Sequence, residues 1–247
     1  MTPEAYCGPA PAPEALLAAW NADAVALALC AVLALAHVRS SYTRREGRLP
    51  LAAAIGVLLV LFVSPLCALT VALFSARVAH HVLLVAVAAP LLALAFPERR
   101  DTPRRLPLSL LVALHAVILW LWHAPPVYAA AIYGALPYWT MQASLLASAF
   151  LMWRRILSPR THAGPALLAL LASVVQMGML GALLVFARDP LYAPHFTTTL
   201  AYGLTPLADQ QLAGLVMWVP AALPYLLAAA LLLAAMFGHP SARAGRR

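Results

Sequence analysis

LAAAIGVLLVLFVSPLCALTVALF, residues 51–74, runs for twenty-four residues without a charged side chain. A helix rises about 1.5 Å per residue, so this run reaches about 36 Å, enough for the roughly 30 Å hydrocarbon core of a bilayer. Backbone groups in lipid have no water to bond, which leaves the helix as the way for one such segment to satisfy them. The same reading applies along the chain, with apolar runs at about 21–38, 49–74, 78–97, 106–123, 138–153, 165–187 and 211–236. The expectation is an all-α polytopic membrane protein, a bundle of seven transmembrane helices. Composition agrees, since 64% of the 247 residues are apolar and 10% are charged, against roughly a quarter charged in a soluble domain.

The arginines orient the bundle. Arg39, Arg44, Arg45 and Arg48 follow the first run; Arg99, Arg100, Arg104 and Arg105 follow the third; Arg154, Arg155 and Arg160 follow the fifth; Arg243, Arg246 and Arg247 follow the seventh. Only Arg77 and Arg188 fall on the other side. Cytoplasmic loops carry the positive excess, so the N-terminus is expected outside and the C-terminus in the cytoplasm. Residues 1–19 then form a flexible, Pro/Ala-rich periplasmic leader, 20–238 the membrane domain and 239–247 a basic cytoplasmic tail. LALA at 33–36 resembles a signal cleavage site, but acidic residues precede the first run and basic ones follow it, the reverse of a secretory signal. The net charge of +8 is accounted for by these loops, so the expected surroundings are the lipid bilayer and not nucleic acid.

Cys7, Cys30 and Cys67 are too few and too scattered for a disulfide framework. Cys30 and Cys67 read as small buried apolar residues and Cys7 as a thiol in the leader. Pro65, Pro90, Pro220 and Pro224 interrupt apolar runs, so kinks are expected whose freed carbonyls need donors from elsewhere in the bundle. Trp20, Trp122, Tyr128, Tyr133, Tyr138 and Trp139 cluster at outer helix ends, where amphipathic rings anchor to the interface.

Depth separates the histidines. His37, His162 and His239 fall on the cytoplasmic side as solvated or headgroup-facing rings, His115 lies mid-span with a cross-bundle hydrogen bond and a functional role equally open to it, and His80, His81, His123 and His195 fall outside. Ionisable groups within spans are costly and mark function when a partner can be named. Adjacent residues point about 100° apart on a helix, so only one of His80 and His81 can easily face a shared site with His123. Imidazole with thioether suits copper. The candidate metal ligands are accordingly His81, His123, Met217 and Asp209, with His80 and Met141 as substitutes, although Met is common helix filler and Asp209 has a capping role open to it.

FSARVAHHVLLVAVAAPLLAL at 74–94, WLWHAPPVYAAAI at 120–132, QMGMLGALLVFA at 176–187 and TPLADQQLAGLVMWVPAALPYL at 205–226 resemble the polytopic CtaG-type cytochrome c oxidase assembly proteins associated with caa-type oxidases. The resemblance implies a non-enzymatic role in maturing haem-copper oxidase in the bacterial cytoplasmic membrane, with oxidase subunits or assembly intermediates as partners and copper as cargo. His81 and His123 match family histidines, which is what selects His81 over His80, and Asp209, Gln210, Met217 and Trp218 match the last-span signature. Arg77 and Gln142 stand where the family pattern commonly has histidine, and Arg offers donors only. A copper transporter and a membrane haem-binding protein are the alternative readings. A retinal receptor is excluded because its Schiff base needs a lysine, and the chain has none.

Overall fold

The computed structural model describes residues 5–39, 45–98 and 106–237. Arg44, Arg99, Arg100, Arg104, Arg105, His239, Arg243, Arg246 and Arg247 lie outside these residues. The described chain is all-helical: α1 (Ala24–Arg39), α2 (Arg45–Phe62), α3 (Leu66–Ala72), α4 (Phe74–Leu83), α5 (Ala89–Ala95), α6 (Leu108–His123), α7 (Pro125–Tyr133), α8 (Ala135–Ile156), α9 (Ala163–Phe186), α10 (Pro206–Trp218) and α11 (Leu223–Phe237). Three helical stretches are long and apolar enough to cross a membrane, Phe74–Ala95, Ala163–Phe186 and Pro206–Phe237. They become five if the bent pairs α2–α3 and α6–α7 each count as one. Three to five candidate spans thus stand where sequence suggested seven.

The breaks fall at prolines, and their carbonyls find donors. α2 and α3 meet at 44° across Ser64 and Pro65, and the Ser64 hydroxyl donates to the Val60 carbonyl at 2.5 Å. α6 and α7 meet at 75° before Pro125. Between α4 and α5 the chain widens into a π turn at Leu84–Ala88, just before Pro90. A π turn would pair the Val85 carbonyl with the amide of residue 90, which proline lacks. The Trp153 indole of α8 donates there instead, at 3.0 Å.

The two ends of the bundle differ in chemistry. At one end Arg155 pairs with Glu98 at 3.1 Å, donates to the Leu106 carbonyl, and Arg154 donates to the Pro97 carbonyl. His37 packs there against Phe96 and is buried, unlike the solvated ring expected, because α1 ends against the start of α2 and the end of α5.

At the opposite end the leader is tied down. The Tyr6 amide donates to the Ile132 carbonyl, its hydroxyl donates to Asp23 at 2.9 Å, and its ring stacks on Tyr138. Cys7 and Cys67, expected as a free thiol and an apolar filler, form a disulfide with Cα atoms 5.6 Å apart. The pairing spans 60 residues and depends on the leader folding back over the helix ends, which no local pattern encodes. Cys30 is the free, buried cysteine.

Candidate functional site

α4 begins where Leu73 turns extended, and its N-terminus has no cap from its own side chains. Asp209 of α10 supplies one. Its carboxylate accepts from the amides of Phe74 at 2.6 Å and Ser75 at 3.2 Å, and from the Ser75 hydroxyl. A carboxylate at a helix N-terminus satisfies orphan donors and meets the positive end of the dipole. Asp209, fully buried, is thus committed to holding α10 against α4. It stands six to seven residues before His81 along α4, about 10 Å by helical rise, and does not join the histidines.

From this capped start, α4 presents Arg77, His80 and His81 at i, i+3 and i+4, one face of a helix. All three are buried. The His81 ring lies 5.8 Å from that of His123 at the end of α6, whereas His80 turns toward Phe62 of α2, with ring centroids 5.1 Å apart. The two rings diverge, as neighbours about 100° apart on a helix must. The His123 Nδ1 is 2.7 Å from the Leu119 carbonyl. A carbonyl accepts only, so Nδ1 carries the proton and Nε2 presents a lone pair.

α8 closes the third side. Tyr138 and Gln142, one turn apart, are buried, and the Arg77 guanidinium sits 5.5 Å over the Tyr138 ring. Met141 and Met217, the candidate thioethers, are buried in α8 and α10. His115 bonds across to Ser148 of α8 at 3.0 Å, the structural one of the two roles open to it.

The loop between α9 and α10 roofs the cluster. Tyr192 donates its hydroxyl to the His123 carbonyl at 2.8 Å and stacks on Phe74 at 3.8 Å. Thr198 donates to the Ala72 carbonyl. The His195 Nε2 is 2.6 Å from the Tyr128 hydroxyl, and burial, with the Arg77 charge nearby, lowers its pKa from 6.5 to about 4. Tyr128 and Tyr138, read as interface anchors, are almost fully buried. These helix ends fold inward under the loop and leader, so these rings face the protein. Tyr192 was not singled out by sequence; the aromatic and histidine density of residues 192–195 is the one signal that pointed to that loop.

Several polar atoms in this cluster lack partners: Nε and Nη1 of Arg77, both ring nitrogens of His80 and His81, and both amide atoms of Gln142. Buried polar atoms are nearly always bonded, and an exception calls for water, an ion or a ligand. Among the described residues no group of three His, Cys, Asp or Glu side chains is arranged to hold a metal. The spacing of two of the imidazoles is compatible with one shared ion. With nitrogen bonds of about 2 Å, their ring centres would lie roughly 6 Å apart, close to the 5.8 Å between His81 and His123.

A family model described as the cytochrome c oxidase caa3 assembly factor matches residues 26–238. No curated protein and no solved structure matches the chain.

Proposed function

We propose that this chain, which belongs to the cytochrome c oxidase caa3 assembly factor family, acts without catalysis of its own in the bacterial cytoplasmic membrane, assisting oxidase subunits or their assembly intermediates and passing copper at the outer face. The spans in this reading are α1, α2–α3, α4–α5, α6, α8, α9 and α10–α11, seven in all. The arginine end, with Arg154, Arg155 and Glu98, is cytoplasmic by the positive-inside rule, and the leader end with the disulfide faces out, where disulfides persist.

The convergence of His81 and His123 carries the copper reading. His123 is held in one tautomer by the Leu119 carbonyl, and His81 has both nitrogens free of protein partners. Such a pair suits a low-coordinate cuprous ion held for transfer, and imidazole accepts either oxidation state. Asp209 takes no part, because its carboxylate holds α4.

The test is a deletion strain assayed for cytochrome c oxidase activity. Activity should fall, return with the intact chain, and fail to return with His81→Ala/His123→Ala, although that variant accumulates in the membrane. A cysteine placed at Leu17 should react with an impermeant thiol reagent from outside, and one at Arg160 should not. Full oxidase activity in the deletion strain without a paralogue would sink the assembly role; equal rescue by the double variant would sink the copper route alone.

A further inference from the structure

The copper pair leaves the most expensive group of the cluster unexplained. Arg77 is 1% exposed, with Nε and Nη1 unpartnered. A buried charge without a counter-charge is strongly unfavourable, and no described carboxylate forms an ion pair with it. The buried acids nearby are engaged: Asp209 by the start of α4, Asp23 by the Tyr6 hydroxyl and the amides of Val25 and Ala26. The site is thus cationic and short of hydrogen-bond acceptors. What it lacks is an anion.

A second feature reaches the same place. A groove of about 480 Å³ runs between α1 and α8, lined along α8 from Trp139 to Phe150 and opposite by Leu29 of α1, with Phe62 and Phe96 on its floor. From Trp139 to Phe150 is about 16 Å of helix rise, a length suited to a hydrocarbon chain. Its lining is apolar except for Gln142 and the Trp139 indole. The Trp139 Nε1 and both Gln142 amide atoms are buried with no partner at hydrogen-bond distance, near the Tyr6 and Tyr138 hydroxyls, so this hydrogen-bonding capacity lies just behind the apolar wall at one end of the groove. That end adjoins the cationic cluster: Phe62 stacks on Trp139 and meets the His80 ring edge-on, and Tyr138, one residue before Trp139, lies under Arg77.

From these two observations we infer that the groove is a binding site for an anionic amphiphile, its chain between α1 and α8 and its anionic head hydrogen-bonded by Gln142 and Trp139 and drawn by Arg77. The site is independent of the oxidase role. A long-chain carboxylate and the phosphate headgroup of an anionic lipid share this chemistry. An uncharged amphiphile of the same chain length fills the groove but leaves the guanidinium alone, so charge should set the preference.

The test uses the full chain in nanodiscs of zwitterionic lipid, with radiolabelled palmitate as probe and hexadecanol and phosphatidylglycerol as competitors. Palmitate should bind saturably, and hexadecanol should compete at least about tenfold less well, the scale of one charge-assisted contact. Arg77→Met should reduce palmitate to the level of hexadecanol while Arg77→Lys keeps part of the preference, and Ala147→Trp, which fills the groove, should remove both ligands. Should Ala147→Trp fail to fold, the Arg77 pair still decides. If phosphatidylglycerol displaces palmitate through an Arg77-dependent contact, the membrane lipid is the source and the site stands. Equal binding of palmitate and hexadecanol to the wild type, undiminished palmitate binding by Arg77→Met, or no saturable binding of either anion overturns the inference.

Discussion

Gly214→Ala tests how tightly α10 must seat for the site to exist. A methyl carbon at 214 would stand 2.6 Å from the Gly181 carbonyl oxygen, 2.7 Å from Val185 Cγ2 and 2.9 Å from the Val185 amide nitrogen. Two of the three are α9 backbone and cannot rotate aside. To restore ordinary contact the helices must part by about 0.8 Å, and packed interiors resist such shifts. Overpacking costs about 1–3 kcal/mol, and a small-residue crossing of this kind is what holds membrane helices together. Alanine also favours the helix over glycine by roughly 1 kcal/mol, which partly hides the clash.

Gly56→Ala removes that ambiguity. Position 56 is mid-helix in α2 and has no atom within 4 Å of an added Cβ, so it reports propensity alone. The difference between the two variants is then about 1–3 kcal/mol, or roughly 2–12 °C in Tm at about 2–4 °C per kcal/mol for a chain of this size. Cys30, buried and the one cysteine outside the disulfide, provides the assay, since a thiol-reactive fluorophore labels it as the fold opens. Gly214→Ala should melt below the wild type and Gly56→Ala at or above it. Equal shifts for both variants would refute the claim that backbone contact at Gly181 and Gly214 sets this interface.

Two further outcomes follow from the leader end of the bundle. Asp209→Ala strips partners from the Phe74 and Ser75 amides and should destabilise by about 2–6 kcal/mol, given about 1–3 kcal/mol for each of the two orphaned groups, whereas Ser75→Ala should cost less; the same melting assay ranks them, and an Asp209→Ala as stable as Ser75→Ala would contradict the cap. His195, lowered from 6.5 to about 4 by burial and the Arg77 charge, is neutral in the fold, so its contribution is fully present above pH 6.5, falls as pH drops toward 4 while the unfolded chain takes up the proton, and is level below that. The shift corresponds to about 3 kcal/mol, so melting curves across this range should show the wild type losing about that much more than His195→Gln, and parallel curves would rule the ring out as the source.

The legible part of the fold was whatever repeats along one helix. Depth, helical phase and proline breaks are local properties; helical phase limited the partner of His123 to one of His80 and His81 without saying which, and the proline breaks anticipated a donor for the carbonyls freed near Pro90, though not that the Trp153 indole would supply it. Contacts made by chain return were not legible. The Cys7–Cys67 bond, the inward turn of Tyr128 and Tyr138, and the reach of Asp209 to a helix more than a hundred residues earlier all depend on how the leader and the loop after α9 fold over the helix ends.

The string TPLADQQLAG shows the consequence for reading function from a signature. Thr205 caps its own helix through the Ala208 amide, Asp209 caps α4, Gln210 accepts from the Leu191 amide and donates to the Leu184 carbonyl, and Gly214 admits the backbone of α9. Every one of these residues has a structural partner, so the most specific stretch of the family resemblance is the one with the least spare chemistry. The unsatisfied groups sit instead on α4 and α8, at Arg77, His80, His81 and Gln142. Two of these, Arg77 and Gln142, are the positions where the sequence resemblance implied histidine. A guanidinium in place of an imidazole adds a fixed positive charge beside any cation the site would take, so the departure argues against reading the cluster as a metal cage and for dividing it between the His81–His123 pair and an anion at Arg77.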